Sequence, residues 1–155
     1  SSAASDVYKR QLYDPANEPD IAYAHLFSYF RGEEWRTQKE TQRLLDKYFT
    51  TKPNGIPGND DTGTMSAWAI FNMIGFYPDC PGLPEYTLTT PVFNKVTIRL
   101  DPKWYKEKEL VIESNRTQPG TLYINKVLLN GKKFNQYRIT HDELVHSQRI
   151  LFDLK

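Results

Sequence analysis

Asp60 and Asp61 are adjacent carboxylates in a glycine-bracketed loop, within the run GIPGNDDTGTMSAW from Gly55 to Trp68. Gly55 and Gly58 permit backbone angles closed to other residues, and Pro57 stiffens the turn between them. An apolar helix is predicted next, from Met65 to Phe76, with Thr62 and Thr64 placed to cap its first turn. Unpaired amides at a helix start favour anions, so both aspartates are expected to stay ionised at neutral pH. On spacing alone such a loop serves capping; the sharper reading is a catalytic or metal-binding pair. Cleaving a glycosidic bond with inversion needs two carboxyl groups roughly 6.5–9.5 Å apart, with sugar and water between them. Neighbours in sequence do not make that pair by themselves. One is therefore read as a base and the other as its orienting partner, with the acid sought elsewhere.

A second oxygen-rich stretch, LYDPANEPD, runs from Leu12 to Asp20 and carries Asp14, Asn17, Glu18 and Asp20. Oxygen ligands in a loop are what a hard cation such as calcium requires, and a solvated loop with one capping residue has the same composition. Glu18 is a candidate acid, although its loop suits ligand or metal binding better. Asn59-Asp60-Asp61-Thr62-Gly63 does not satisfy the twelve-residue EF-hand pattern: the ligand spacing is wrong and no glutamate closes it. His25, His141 and His146 stand at no triad spacing, and the last two are expected on the surface. No phosphate loop or dinucleotide fingerprint is present.

These loops must be held by helices. Asp20 is placed to cap a helix predicted from Ile21 to Phe30, with Ala22, Leu26, Tyr29 and Phe30 as its apolar stripe. A longer amphipathic helix is predicted over Glu33 to Phe49, gathering Trp35, Leu44, Leu45, Tyr48 and Phe49 on one side. The helix after the carboxylate loop is apolar on almost every face, which predicts burial among more helices than these two. Pro78, Pro81, Gly82 and Pro84 then mark a boundary. Beyond it the pattern predicts strands at Tyr86–Thr90, Lys95–Leu100, Glu109–Ser114, Leu122–Leu129 and Arg149–Leu154. Asn130-Gly131 is a strong hairpin-turn signal.

At 155 residues the chain is one domain, or a helical piece plus a small β piece. Twenty basic residues against 19 acidic ones, with no basic run, give no footprint for nucleic-acid binding. The longest apolar run is far too short for a membrane span. Cys80 is the only cysteine, which excludes an internal disulfide and a cysteine-based zinc site. Ser1 to Gln11 reads as a leader or scar outside the fold. With no signal peptide at its start, the sequence reads as cytosolic or as missing its own beginning.

The motifs NEPD (Asn17–Asp20), WRTQ (Trp35–Gln38), the block from Gly55 to Tyr86, PVFNKVTIRL and LLNGKKF closely resemble glycoside hydrolase family 92 over roughly residues 12–155. The resemblance implies an exo-acting, inverting α-mannosidase that depends on Ca2+ and removes terminal α-linked mannose, with α-1,2 the expected linkage. By motif, Asp61 matches the general base, Asn59 the often acidic position two before it, and Asp60 lies between. Asn17 and Glu18 match the loop that holds calcium and mannose, so Asn17, Glu18 and Asn59 are the expected substrate contacts. The implied fold class is α+β: the C-terminal part of an (α/α)6 barrel, about three helices over residues 12–85, then a small antiparallel β module over 86–155. The family's general-acid glutamate lies upstream of the matching residues. The chain alone is therefore expected to be inactive and to need the N-terminal part of the same enzyme as a partner. The family also implies a mannose-containing glycan as substrate and a secreted or periplasmic location. A non-catalytic carbohydrate-binding or structural module is the alternative.

Overall fold

A computed structural model describes residues 14–155, so the expected leader, Ser1 to Gln11, lies outside the described residues. The fold is α+β. Its first element is a 3-10 turn, Glu18–Asp20, followed by a 3-10 helix, Tyr23–Tyr29, where an α-helix was predicted. With three residues per turn, a different face turns inward. Ala24, His25 and Ser28 are buried, while Leu26, Tyr29 and Phe30, expected to form the inner stripe, are exposed. Helix α1 (Glu34–Tyr48) buries Thr37, Gln38, Thr41, Leu44 and Leu45, a spacing that defines one helical face. Trp35, assigned to that face by its type, is 42% exposed. The polar half of the face is partly satisfied internally: Thr41 donates to the Thr37 carbonyl, and Gln38 accepts from the Ile124 amide at 2.9 Å.

Helix α2 (Thr64–Ile74) buries Met65, Trp68, Ala69 and Asn72, and Gly75 ends it in the left-handed region. Despite its apolar composition it is not surrounded, and Ile70 is 57% exposed. Its inner face contributes Trp68 and Ala69 to a cluster with Ala24, Leu44 and Leu45.

The chain leaves α2 directly into β1 (Phe76–Tyr77), which pairs antiparallel with β2 (Glu85–Leu88); β2 pairs in turn with β7 (Arg138–Thr140). A five-stranded sheet follows the order β3 (Lys95–Arg99), β4 (Glu109–Arg116), β8 (Arg149–Leu154), β5 (Ile124–Leu129), β6 (Lys132–Phe134). The expected antiparallel module is in fact mixed, because β4 and β8 run parallel, from Val111 opposite Arg149 to Arg116 opposite Leu154. Parallel neighbours need a long crossover, and the connection through β5, β6 and β7 supplies it. Asn130 and Gly131 take φ of 49° and 81°, the two positive values of a type I′ turn, as the hairpin signal predicted.

Among the short elements not predicted are β1, β7 and α3 (His141–Val145), the last opened by a capping box in which Thr140 accepts from the Glu143 amide and the Glu143 carboxylate accepts from the Thr140 amide. His141, expected on the surface, is partly buried: the Tyr86 hydroxyl lies 2.9 Å from Nδ1 and that of Tyr105 3.4 Å from Nε2. The second core comprises Leu110, Ile112, Ile124, Val127, Ile150, Phe152 and Leu154, with Phe76, Leu88, Ile139 and Leu144. Arg138 ties the two regions together. It pairs with Asp79 at 3.2 Å and Glu85 at 3.3 Å, donates to Ser28 and Thr87, and lies 4.3 Å over the Tyr29 ring. No helix of the described residues is long and apolar enough to cross a membrane.

Candidate functional site

The two oxygen-rich loops meet. Gly58 has φ of +71°, and a Cβ there would lie 2.8 Å from the Cβ of Ala16. No larger residue fits between the segments without displacing one of them. The loop that carries Asn17 and Glu18 therefore abuts the one that carries Asn59, Asp60 and Asp61, although about 40 residues separate them in the chain.

The carboxylate loop assigns its two aspartates different surroundings. Asp60 Oδ1 accepts from the Ser66 amide at 2.9 Å and Oδ2 from the Ser66 hydroxyl at 2.7 Å. Ser66 is the third residue of α2, so Asp60 caps the helix from outside it. These bonds, the backbone amide foremost, hold the Asp60 carboxyl below its ordinary value. Thr62 and Thr64, expected to cap, instead donate their hydroxyls to the Asp61 carbonyl, each at 2.7 Å. The reason is backbone geometry: Thr62 sits at φ 53° and Gly63 at φ 80°, so a tight 3-10 turn (Asp61–Gly63) precedes the helix and turns both hydroxyls back. The Asp61 side chain is exposed and its carboxylate takes no hydrogen bond from the described residues. A rigid neighbour holds it while its own oxygens stay available, the arrangement a base requires.

The NEPD loop folds on itself. The Ala16 amide donates to Asp14 Oδ1 at 3.0 Å, and the Asn17 side-chain amide donates to Asp20 Oδ2 at 3.2 Å. Asp20 therefore does not cap the following helix as predicted: its carboxylate points back into the loop. Glu18 and Asn17 are exposed at the loop surface, as is Asn59. Their oxygens are the hard donors that calcium prefers, but calcium takes six to eight ligands. Among the described residues no group of three or more His, Cys, Asp or Glu side chains could hold a metal ion. Asn17 and Glu18 thus fall short of a complete calcium site.

The sequence reasoning missed two contributors, Ser66 and Ala16. Ser66 was legible in principle, since it falls on the first turn of the predicted helix. The Ala16–Gly58 contact left no signal in either loop alone. His25 was also missed. It is fully buried, with Nε2 3.0 Å from Asn72 Oδ1 and its ring stacked on Tyr77 at 4.5 Å. Burial pushes its imidazole down to about 4, which keeps it neutral in the core.

The profile of the glycosyl hydrolase family 92 catalytic domain matches residues 1–155. A protein of Arthroderma benhamiae named as an uncharacterized secreted glycosidase is 29% identical over 126 residues, which are 81% of this chain and 16% of that protein. A family GH92 α-mannosidase of Bacteroides thetaiotaomicron, solved with mannoimidazole, superposes with a TM-score of 0.82 at 31% identity, covering 90% of this chain and 18% of its own. An inverting mannosidase of family GH92 from the same organism gives 0.75 at 33% identity, over 90% of this chain and 19% of its own. The chain thus spans less than a fifth of the length of these relatives. Matched by the profile over its whole length, and sharing with these enzymes the fold that carries its carboxylate loop, the chain belongs to glycosyl hydrolase family 92.

Proposed function

We propose that this chain is part of a glycoside hydrolase that removes terminal α-linked mannose, with α-1,2 linkages as preferred substrate, by inversion of configuration. The observation that carries the reading is the divided carboxylate pair. Asp61 is exposed and takes no hydrogen bond from the described residues, beside a helix start that Asp60 locks through Ser66. In this reading Asp61 takes a proton from the attacking water, Asp60 fixes the loop, and Asn17, Glu18 and Asn59 contact the sugar. The acid that protonates the leaving oxygen comes from a part of the enzyme other than this chain, across the gap an inverting pair requires. The described helices then belong to an (α/α)6 barrel segment over residues 12–85, and the β module spans 86–155.

Calcium is part of the proposal as a shared ligand. Asn17 and Glu18 supply two of its oxygens, and the rest of the enzyme supplies the others. Bound there, the ion would hold hydroxyls of the mannose; the chain's own residues carry the base and its orientation. The mannosidase titles of the solved relatives support the substrate class, and the fungal relative's description supports a secreted location.

The test is release of mannose from α-1,2-mannobiose by an intact enzyme carrying this chain, with calcium and then with a chelator. Asp61→Ala is expected to lower kcat by about 10²–10⁴-fold, the usual contribution of a general base. Chelation is expected to abolish turnover, and residues 1–155 alone to release no mannose. Turnover that survives Asp61→Ala would remove that residue from the role of base.

A further inference from the structure

The helical hairpin and the five-stranded sheet leave a cleft of about 390 Å3 between them, lined by Trp35, Gln38, Tyr123, Ile124, Tyr137 and Lys155. That volume lies within the range of small-molecule sites. Trp35 stands in the first turn of α1, whereas the carboxylate loop follows the last turn of this 15-residue helix. Neither the carboxylate loop nor the NEPD loop contributes a residue to this cleft.

Three aromatic rings wall the cleft, and two of them pack on each other. Trp35 meets Tyr123 edge-on at 6.3 Å and 73°, and its ring is flanked by Arg36 at 5.3 Å and Lys39 at 6.0 Å. Tyr123 is held through its backbone, which exchanges two hydrogen bonds with Lys155, at 3.0 and 2.8 Å. A rigid aromatic wall loses little entropy when a ligand packs on it.

The polar groups are few and unspent. Gln38 is only 2% exposed; its Oε1 accepts from the Ile124 amide, while its side-chain nitrogen has no partner among the described residues. The Tyr123 and Tyr137 hydroxyls likewise make no hydrogen bond to the described residues. A second groove, lined by Tyr23, Phe27, Trp35, Arg36, Lys39, Glu40 and Arg43, is by contrast mostly charged, with Arg36–Glu33 and Arg43–Glu40 ion pairs at 2.6 and 2.8 Å. Of the residues that line the aromatic cleft only Lys155 is charged, and Arg36 and Lys39 approach it over the Trp35 ring.

We infer that this cleft is a second saccharide-binding site, which takes a neutral hexopyranose unit of the polymeric substrate apart from the loop that carries Asp61. The inference rests on the proposed activity for the identity of the sugar. An apolar pyranose face packs on the Trp35 and Tyr rings, while its hydroxyls meet the Gln38 amide and the two phenols. A site so placed would hold a long mannan on the enzyme without affecting a disaccharide too short to reach it.

The experiment compares Trp35→Ala and Tyr137→Phe with the parent sequence in an intact enzyme carrying this chain. Kinetics are measured on α-mannan and on α-1,2-mannobiose, and retardation is measured in gels containing mannan. Trp35→Ala is expected to raise KM on mannan about tenfold, to leave kcat/KM on mannobiose unchanged and to abolish retardation. Tyr137→Phe, which keeps the ring, should give a smaller loss. Equal losses on both substrates would make the cleft structural and overturn the inference, as would unchanged behaviour on both. If the enzyme hydrolyses no mannoside, the proposed activity fails; retardation of the parent that is lost in Trp35→Ala would still uphold the cleft, and no retardation would overturn it.

Discussion

The two cores of this molecule are built differently. The β core centres on an apolar cluster, with Ile150, Phe152 and Leu154 alternating inward along β8 against Leu110, Ile112, Ile124 and Val127. The hydroxyls buried around it, Thr87, Thr89, Thr90, Ser114 and Ser147, are all hydrogen-bonded. The helical core is interleaved with polar groups: His25, Ser28, Thr37, Gln38, Thr41 and Asn72 are all buried in the helical elements. Among the described residues His25 Nδ1, Thr37 Oγ1 and Trp68 Nε1 find no partner. The same region exposes Leu26, Tyr29, Phe30 and Ile70. The candidate site sits on this second, less self-sufficient region. Buried polar groups specify one arrangement when satisfied and weaken the fold when not. The contrast separates a module organised for stability from a region organised to place a site.

The largest stability effect is expected in the β core. Phe152, 1% exposed, contacts both sides of β8, and Phe152→Ala should cost about 3–5 kcal/mol in denaturant unfolding, the range for aromatic truncation in a core. A loss below that range would mean that this core repacks easily, and the contrast with the helical region would fail.

His25 sharpens the comparison from the other side. Its folded value of about 4 lies below the ordinary 6.5, so between these values the unfolded chain binds a proton that the native chain excludes. Stability is then full above pH 6.5 and falls as pH drops towards 4, by about 3 kcal/mol at most. Urea midpoints followed from pH 7 to 4 should show the fall, and His25→Gln should remove most of it. An equal fall in the variant would assign the pH dependence to other groups.

Gly58→Ala should cost about 1–2 kcal/mol from the left-handed backbone, and more from the contact with Ala16. It should also reduce activity of the intact enzyme by separating the two loops. Unchanged activity would show that the loops act independently. The smallest effect is expected for Asp60→Ala, which removes a surface cap. Because its hydrogen bonds hold the Asp60 carboxyl low, its contribution is present above the ordinary carboxylate range and disappears as pH falls through the depressed value. The thermal midpoints of the parent and of Asp60→Ala should therefore converge in acid; a constant gap would show that the lost bonds are not those of the ionised form.

Local signals were read correctly where the physics is local. The Asn130-Gly131 turn, the position of α1 and α2, and the β8 alternation follow from short-range sterics and from one-sided burial, and their predicted bounds lie within a few residues of those observed. The adjacency of Asp60 and Asp61, and the oxygen-rich character of both loops, also belong to the sequence. It did not reveal which face of Tyr23–Tyr29 is buried, because a 3-10 period and an α period select different residues from the same string. Nor did it reveal that β4 and β8 run parallel, because pairing direction depends on how a distant connection closes.

By itself, then, the sequence determined the family pattern, the succession of helices and strands, and which residue types stand in the two loops, since each depends on neighbours in the chain. Tertiary structure decided which aspartate is engaged and which is free, that Gly58 seats against Ala16, and that Trp35, Tyr123 and Tyr137 share one cleft. Each of these is a contact between segments distant in the chain, or a backbone angle that such contacts impose, and no local propensity encodes it.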